Sequence, residues 1–383
     1  MISKIGIIGS GAMGSGIAQV AATVGCELLV YDVSQDALSK AKTNLSHNLG
    51  KLLEKQKISA QEMNAIFGRI GFTDSLSAFS DRELVIEAVV ENIEVKKSIF
   101  SQLESIVKEE CIIASNTSSL SLTAMAGVLK NSSRFLGIHF FNPAHLMQLV
   151  EVIHANQTGI DILEKVKTII ESWGKIVVVA KDSPGFIVNK VARPYYGEAI
   201  RLYEEGVADC ATIDYAMTSL GGFKMGPFSL MDFIGLDVNY AVTQSVWQSF
   251  FYDARYKPSF TQKRLVDSGH LGKKTGKGFY DYSKSLPSYV HSEEEDATLQ
   301  YIFNRILCML INEAADTVQI GVCNEEDVEL AMKHGTNYPK GLLAWGEELG
   351  LEHVVYTIDG LYDRYHEERY RVSPYLRDRI SVL

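Results

Sequence analysis

Residues 4–32, KIGIIGSGAMGSGIAQVAATVGCELLVYD, contain the pattern that decides the fold. A short strand rich in isoleucine leads into Gly9, Gly11 and Gly14, which fall in the spacing G-x-G-x-x-G, and helical character follows. In this spacing the first glycine permits a tight turn, the second lets the backbone approach a pyrophosphate, and the third lets helix pack closely on strand. The helix then offers N–H groups and its positive dipole end to the phosphates. The pattern therefore predicts a dinucleotide-binding turn.

The next strand, ELLVYD, ends at Asp32, 18 residues after Gly14. A carboxylate at this place accepts hydrogen bonds from the ribose hydroxyls of an adenosine and repels a 2′-phosphate. The sequence therefore predicts NAD rather than NADP as the cofactor. The residues expected to contact it in this segment are Gly9, Gly11, Ala12, Met13, Gly14 and Asp32.

Further apolar stretches alternate with helical ones as far as residue 181, which favours a mostly parallel, doubly wound sheet. The stretches predicted to be strands are 83–91, 111–120, 134–141, 149–153 and 174–181. Ligands of such sheets bind beyond the carboxyl ends of the strands. The polar side chains expected near those ends are Glu91, Asn116, Ser118 and Asn142.

Residues 137–153, GIHFFNPAHLMQLVEVI, place a histidine and a carboxylate in two successive apolar strands. Glu151 shares a strand face with Leu149 and Ile153, where an ionised carboxylate is costly unless it is paired. A neutral imidazole can accept a proton near neutral pH, and a carboxylate on its other nitrogen fixes its tautomer. We therefore expect Glu151 to pair with His139. His145 and His154 are interpreted as structural, and no metal centre is predicted.

Composition restricts the class of protein. A length of 383 residues predicts two or three domains, and the net charge of −10 argues against nonspecific nucleic-acid binding. Five scattered cysteines without a Cys-x-x-Cys pair favour a reducing compartment. The first strand begins so early that no room is left for a signal peptide, and glycines interrupt the uncharged stretch from Ile5 to Cys26. The sequence thus predicts a cytoplasmic protein without a membrane span.

After the segment AKDSPGF, residues 180–186, the apolar spacing becomes helical. Ser183 and Pro184 are expected to start a helix that bends at Pro194 and ends at Gly206. From there to the end of the chain there is almost no strand alternation, so this part is predicted to be all-α.

The helical part repeats itself at an offset of 115 residues. FIVNK (186–190) matches YIFNR (301–305), and GEAIRLYEEGV (197–207) matches NEAADTVQIGV (312–322). We interpret this as one duplicated helical module with an acidic connector at 283–296. The fold class is therefore α/β: a Rossmann-type doubly wound sheet followed by two all-α domains that are copies of one module. The expected domain limits are 1–182, 183–285 and 296–383.

Together these features resemble the 3-hydroxyacyl-CoA dehydrogenase family over residues 4–282. Besides the glycine turn, the resemblance rests on EAVVENIEVKK (87–97), ASNTSSL (114–120), HFFNPAHLMQLVEVI (139–153), DSPGFIVNK (182–190), MGPFSLMDFIGLD (225–237) and GKKTGKGFYDY (272–282). The resemblance implies an NAD-dependent enzyme of β-oxidation and related CoA pathways. Its implied reaction is the interconversion of (S)-3-hydroxyacyl-CoA and 3-oxoacyl-CoA, with short-chain substrates of the 3-hydroxybutyryl type. The duplicated module is similar to that of longer bacterial members.

The resemblance also implies roles for individual residues. His139 and Glu151 match the family's catalytic pair, and Ser118 and Asn189 complete its active site and contact substrate. NAD contacts are implied at Asp32, Glu91, Lys96, Asn116, Asn142 and Lys274. Lys40 and Lys42 lie near the segment that meets CoA in the family, and the sequence does not fix which of them does so. Asn304, the counterpart of Asn189 in the repeat, is expected to have no role in catalysis.

Three alternatives compete with this interpretation. Ser118, His139 and Glu151 could form an acyl-transfer triad, but Ser118 lacks a G-x-S-x-G elbow and a hydrolase needs no NAD turn. The same scaffold could oxidise a free hydroxy acid or sugar acid, or could bind NAD without catalysis. The acyl chain length, the physiological direction and the pathway are not predicted. The oligomeric state is left open between a homodimer and a monomer with an internal pseudo-dimer.

Overall fold

The structure is a computed structural model that describes residues 2–285, 289 and 292–381. The chain divides into two compact units, Met1–Ser183 and Pro184–Leu383. Part of the connector predicted at 283–296 lies outside the described residues.

The first unit is built on an eight-stranded sheet of order β3-β2-β1-β4-β5-β6-β7-β8. All neighbouring strands are parallel except β6 and β7, which are antiparallel, so the predicted mostly parallel sheet is confirmed. The strands are β1 (Lys4–Ile8), β2 (Glu27–Tyr31), β3 (Ile70–Thr73), β4 (Leu84–Glu87), β5 (Ile112–Ser115), β6 (Phe135–Phe140), β7 (Leu149–His154) and β8 (Ile176–Lys181).

Six helices connect these strands in the manner of a doubly wound fold. They are α1 (Ala12–Thr23), α2 (Gln35–Glu54), α3 (Ala60–Gly68), α4 (Ile93–Glu104), α5 (Leu122–Ala126) and α6 (Ile160–Ser172). Apolar side chains of α1 and α6 pack on the central strands; Ile5, Ile7, Ile17, Ile112 and Val166, for example, are completely buried. The carboxyl ends of β1, β2, β4 and β5 thus converge on one edge of the sheet, where the predicted ligand-binding residues lie.

One strand is shorter than predicted, and one strand was not predicted. The stretch 83–91 forms a strand only over Leu84–Glu87, and the residues after it lead into α4, with the Asn92 N–H donating to the Val90 carbonyl at 2.8 Å. The edge strand β3 was not anticipated, because four residues are too few for alternation to be recognised.

The second unit is helical. Its helices are α7 (Val188–Val191), α8 (Arg193–Glu204), α9 (Cys210–Ser219), α10 (Pro227–Ile234), α11 (Leu236–Ser249), α12 (Phe260–Asp267), α13 (Asp296–Gln319), α14 (Glu325–Gly335), α15 (Leu342–Leu349), α16 (Leu351–Tyr365) and α17 (Pro374–Ser381). We call α7–α12 the first helical half and α13–α17 the second helical half.

The helix predicted to run from residue 183 with a bend at Pro194 is wrong in detail. Two helices are present, and Pro194 lies in the first turn of α8. Proline is favoured there because the missing N–H would have had no intrahelical partner. The predicted end is confirmed: Gly206 follows α8 with φ +70°, a left-handed conformation that glycine adopts without strain.

The two helical halves share local contacts at the same offset of 115 residues. The Asp214 carboxylate accepts hydrogen bonds from the N–H groups of Phe228 and Ser229 at the start of α10, at 2.8 and 2.9 Å. The Glu329 carboxylate does the same for Leu343 and Ala344 at the start of α15, at 2.8 and 3.2 Å. Both helices then end at a glycine with positive φ, Gly235 (+100°) or Gly350 (+90°).

The halves also contact each other through reciprocal ion pairs. Lys190 Nζ lies 2.5 Å from Glu313 Oε1, and Arg305 Nε lies 3.0 Å from Glu198 Oε2. The two pairs correspond to each other when the halves are exchanged. Lys190 and Arg305 are 115 residues apart, and so are Glu198 and Glu313. Tyrosine hydroxyls complete both sites: Tyr256 donates to Glu313 at 2.6 Å, and Tyr370 donates to Glu198 at 3.1 Å.

Candidate active site

The glycine turn between β1 and α1 has the geometry that its spacing predicts. Gly9 has φ +104°, and a Cβ there would lie 2.6 Å from the Ala88 carbonyl oxygen. A Cβ on Gly14 would lie 1.9 Å from the Gly9 oxygen, whereas one on Gly11 would meet nothing within 4 Å. The first hydrogen bond of the helical ladder runs from the Ser15 N–H to the Gly11 carbonyl, at 2.9 Å. The N–H groups that come before Ser15 in the first turn therefore take no part in the ladder. Open space lies where a pyrophosphate would approach, and these residues fit a dinucleotide.

Asp32 directly follows β2 and faces the same turn. Its carboxylate accepts from the Ser10 N–H at 3.0 Å, the Ser10 hydroxyl at 2.7 Å and the Ser34 N–H at 3.1 Å. Partial burial would raise the pKa of Asp32, but these hydrogen bonds outweigh it and lower the pKa, so the group stays ionised. Asp32 lines a groove of about 790 Å³ together with Gly9, Gly11, Val33, Val89 and Val90. The groove is large enough and apolar enough for an adenosine.

His139 and Glu151 are brought together by the antiparallel pairing of β6 and β7. They are directly opposite each other in the register, and His139 Nδ1 lies 2.6 Å from Glu151 Oε2. Glu151 is completely buried and His139 is 5% exposed. The Phe141 ring lies 4.5 Å from the imidazole, centroid to centroid. The expected pair is confirmed as a contact, and it gives the buried carboxylate its partner.

Glu91 and Ser118 lie in the turns after β4 and β5, and the structure brings them together. Glu91 Oε1 accepts from the Thr117 hydroxyl at 2.6 Å and the Ser118 N–H at 3.1 Å. Burial would raise the pKa of Glu91, but the Lys96 ammonium and these hydrogen bonds outweigh it and lower the pKa. An ionised Glu91 therefore fixes the turn that carries Ser118.

Lys96 was expected to contact the cofactor, yet it is only 1% exposed. Its ammonium lies 2.7 Å from Glu87 Oε1 and 3.3 Å from Glu91 Oε2. The Ser115 hydroxyl donates to the same Glu87 carboxylate at 2.7 Å. This geometry favours a positioning role for Lys96 through Glu91 over a direct contact.

Asn116 and Asn142 lie at the ends of β5 and β6. Asn116 Oδ1 accepts from the Phe140 N–H at 2.8 Å and so joins the two strand ends. Asn142 lines a second groove, of about 460 Å³, with Gly11, Ala12 and Lys40. Met13 follows in the first turn of α1, where backbone N–H groups lack an intrahelical partner.

The structure separates the two lysines that the sequence left open. Lys40 lines the groove that contains Asn142, while Lys42 lines another groove with residues 67–74. Only Lys40 therefore lies beside predicted site residues.

Two predicted site residues belong to the second unit. Asn189 lies in α7, and its backbone carbonyl accepts from Arg193 Nε at 2.7 Å. Lys274 is half-exposed and its ammonium lies 2.6 Å from Asp237 Oδ1. Asn304, the counterpart of Asn189, accepts from the Gln300 amide at 2.9 Å.

Sequence reasoning did not single out Ser10 or Glu87. Like Glu151, Glu87 is a carboxylate within a buried apolar strand. The argument that such a carboxylate needs a partner would therefore have identified Glu87 as well. Ser10 carried no such signal, because a serine in a glycine-rich turn is unremarkable until its hydroxyl is seen to bind Asp32.

All five cysteines are free thiols. Within residues 2–285, 289 and 292–381, no cluster of three or more His, Cys, Asp or Glu side chains could hold a metal ion. Over the same residues, no helix has the length and apolarity needed to cross a bilayer.

Comparison with known proteins identifies the family. The model for the NAD-binding domain of 3-hydroxyacyl-CoA dehydrogenase matches residues 4–183, and the model for its C-terminal domain matches 185–282 and 301–381. A 3-hydroxyadipyl-CoA dehydrogenase of Escherichia coli K12 is 35% identical, covering 99% of this chain and 97% of its own. A probable 3-hydroxybutyryl-CoA dehydrogenase of Deinococcus radiodurans is 44% identical over 73% of this chain and 100% of its own.

Solved structures agree with this assignment. The crystal structure of a 3-hydroxybutyryl-CoA dehydrogenase from Escherichia coli K12 superposes with a TM-score of 0.95 at 35% identity, over 100% of this chain and 99% of its own. Two family models cover most of the sequence, and the glycine turn and Asp32 fit the NAD that the family binds. The chain therefore belongs to the 3-hydroxyacyl-CoA dehydrogenase family and is an NAD-dependent dehydrogenase.

Proposed function

We propose that this enzyme interconverts (S)-3-hydroxyacyl-CoA and 3-oxoacyl-CoA thioesters, with His139 as the base and Glu151 as the residue that orients it. The buried contact of 2.6 Å between His139 Nδ1 and Glu151 Oε2 carries the proposal. A carboxylate at Nδ1 holds the proton on that nitrogen, which leaves proton transfer to Nε2. The same carboxylate stabilises the imidazolium that forms when Nε2 takes up a proton.

When bound, NAD supplies the acceptor for the hydride that leaves the substrate carbon. His139 takes the hydroxyl proton in the oxidation and returns it in the reduction, which is typically worth about 10²–10⁴ in rate. The Ser118 hydroxyl hydrogen-bonds the substrate oxygen, on a turn that Glu91 holds in place. Asn189 positions the substrate against the histidine.

The cofactor proposal divides the predicted residues by role. Gly9, Gly11, Ala12, Met13 and Gly14 bind the pyrophosphate through the backbone, and Asp32 binds the adenosine ribose. Glu91, Asn116, Asn142 and Lys274 complete the NAD site, and Lys96 acts on it through Glu91. We assign the CoA end to Lys40 rather than Lys42, because Lys40 shares a groove with Asn142.

The acyl chain is proposed to be short. Relatives with similar sequences are named for 3-hydroxybutyryl-CoA and 3-hydroxyadipyl-CoA, both of which have short chains. The five free cysteines are consistent with a reducing compartment, and a cytoplasmic location is proposed on that ground.

The test is the loss of NADH absorbance when acetoacetyl-CoA is added, with NADPH and free acetoacetate run in parallel. We expect turnover with NADH and the thioester, and at least about a 100-fold lower rate for His139→Gln with NADH binding retained. Equal turnover of free acetoacetate would favour a dehydrogenase of free hydroxy acids. NADH binding without turnover of any 3-oxoacyl-CoA would favour a non-catalytic NAD-binding protein.

We further propose that the two helical halves are copies of one module, with domain limits at 1–182, 183–285 and 296–383. The C-terminal family model matches both halves, and the Deinococcus radiodurans relative, matched over its whole length, covers only 73% of this chain. The reciprocal pairs Lys190–Glu313 and Arg305–Glu198 support a two-fold relation between the copies, as at the interface of a symmetric dimer. We therefore propose a monomer with an internal pseudo-dimer, and make the homodimer the alternative.

A further inference from the structure

Arg193 is a buried cation of the second unit that the proposed chemistry does not use. It is 6% exposed, and its Nε donates to the Asn189 carbonyl at 2.7 Å. Its Nη1 donates to the Thr243 hydroxyl at 3.0 Å, whereas Nη2 has no hydrogen-bond partner among residues 2–285, 289 and 292–381. The Tyr196 ring centre lies 5.0 Å from the guanidinium. All of these neighbours are neutral, so they satisfy donors but do not balance the charge, and burial lowers the pKa of Arg193 accordingly.

The other buried charges around Arg193 balance one another. In one group, Glu313 and Asp316 supply two negative charges. Lys190 and Arg255 supply two positive charges, at nitrogen–oxygen distances of 2.5–3.4 Å. A second group has three carboxylates and three guanidinium groups in contact at 2.5–4.0 Å, namely Glu198, Glu205, Glu367, Arg201, Arg305 and Arg369. Within the described part of the chain, Arg193 is therefore left with one uncompensated positive charge.

A cavity of about 30 Å³ adjoins Arg193 and lies entirely within the second unit. Its lining contains five cationic side chains, Arg193, Arg201, Arg255, Lys257 and Arg369. The carboxylate in that lining is Glu198, which Arg305 engages at 3.0 Å. The potential in the cavity is therefore positive.

Two further donors in the lining of this cavity are not engaged. Arg255 Nε is buried without a hydrogen-bond partner in the part of the chain that the structure describes. Over the same residues, the Tyr196 hydroxyl forms no hydrogen bond. Burial raises the pKa of Tyr196, so this hydroxyl keeps its proton. With Arg193 Nη2, three groups thus offer hydrogen-bond donors, the type of partner that an anion needs.

The volume of the cavity restricts the anion. It has room for about two water molecules, which admits a single halide ion but not a phosphate with its four oxygens. We propose that the second unit binds one chloride ion in this cavity, where it balances the charge of Arg193. This site is independent of the proposed dehydrogenase reaction.

The charge at Arg193 does not belong to the contacts that the two helical halves share. The counterparts of Arg193, Asn239 and Gln262 are Cys308, Val354 and Leu376, at an offset of 115 residues for the first two and 114 for the last. The last offset follows from the starts of α12 and α17, at Phe260 and Pro374. All three counterparts are apolar and buried. A cation that the repeated contacts required would be expected in both halves, so its presence in one half supports a ligand there.

The test measures the melting temperature of the full-length protein while potassium chloride replaces potassium gluconate at constant ionic strength. A ligand that binds only the folded state stabilises it, so chloride should raise the melting temperature by about 3 °C or more and then saturate. Bromide should act in the same way, whereas gluconate is too large for the cavity. Arg193→Met should abolish the rise. Arg264→Met is the matched control and should keep it, because Arg264 lies in α12 of the same half but is exposed and does not line the cavity.

The possible results are unambiguous. Equal melting temperatures of the wild type in chloride and gluconate overturn the proposal, and so does a chloride response that survives in Arg193→Met. If Arg193→Met does not fold, wild-type crystals soaked in bromide decide. We expect an anomalous peak beside the Arg193 guanidinium, and its absence would overturn the proposal.

Discussion

The two helical halves share particular local contacts and differ in the side chains of their interiors. Both hold the start of a helix with a carboxylate, Asp214 or Glu329, and both end that helix at a glycine of positive φ. Only the first half buries the polar side chains Arg193, Asn239 and Gln262, because their counterparts in the second half, Cys308, Val354 and Leu376, are apolar. The contacts that hold the helix starts and ends therefore occur in both halves, whereas these buried polar side chains occur in one.

The largest effect is expected where the halves depend on each other. Lys190→Met and Arg305→Met each remove the nearest cation of a buried glutamate, Glu313 or Glu198. Only a more distant cation then remains, Arg255 at 3.4 Å or Arg201 at 3.6 Å, so each substitution should lower the free energy of unfolding by about 3 kcal/mol. Urea denaturation followed by tryptophan fluorescence measures both values. Because the two pairs are reciprocal, we expect the two costs to be similar.

Arg201→Met is the control for this prediction. Arg201 is one-fifth exposed and lies 3.6 Å from Glu198, so its loss should cost less than about 1 kcal/mol. If Lys190→Met cost no more than Arg201→Met, the reciprocal pairs would not hold the halves together, and the pseudo-dimer would lose its main support.

A smaller effect should distinguish the two equivalent asparagines. Asn189→Ala should lower kcat by about 100-fold, because loss of substrate positioning has costs of this order. Asn304→Ala, at the same place in the second half, should leave kcat unchanged. Steady-state kinetics with acetoacetyl-CoA compares them, and equal effects of the two substitutions would show that Asn189 acts only on folding.

The smallest effect concerns the two glycines that end α10 and α15. Gly235→Ala and Gly350→Ala both place a side chain at positive φ, which should cost about 1–3 kcal/mol of stability each. A Cβ at Gly235 would also lie 2.9 Å from Lys274 Nζ, whereas a Cβ at Gly350 meets nothing within 4 Å. NADH titration should therefore show weaker binding only in Gly235→Ala. Unchanged NADH affinity in that variant would argue against a cofactor contact by Lys274.

The sequence predicts much of the first unit because its signals are local. The glycine spacing specifies a turn within six residues, and the position of Glu151 on an apolar strand face is enough to require a partner. Prediction was less complete where the outcome depends on tertiary packing. The sequence could not choose between Lys40 and Lys42, which differ only in the groove that each faces.

Arg193 shows the same limit more clearly. A single arginine in a helical pattern usually lies at the surface, so its sequence gives no reason to single it out. Its burial follows from tertiary packing around α8, mainly by α13, and only comparison with Cys308 in the other half shows an uncharged residue at the matching place.

The antiparallel pairing of β6 and β7 has a consequence for folding. Side chains alternate along a strand, so a slip of one residue between them would place Val150 or Val152 opposite His139 and send Glu151 to the other face of the sheet. The groove beside Asp32 is lined from the ends of β1 and β2 and from α4, and it contains no residue of β6 or β7, so such a slip would leave it intact. A misaligned molecule would then still bind the adenosine end of NADH and yet be chemically inert. In a refolded sample, the ratio of turnover rate to bound NADH would therefore measure the fraction of molecules in which β6 and β7 have the native register.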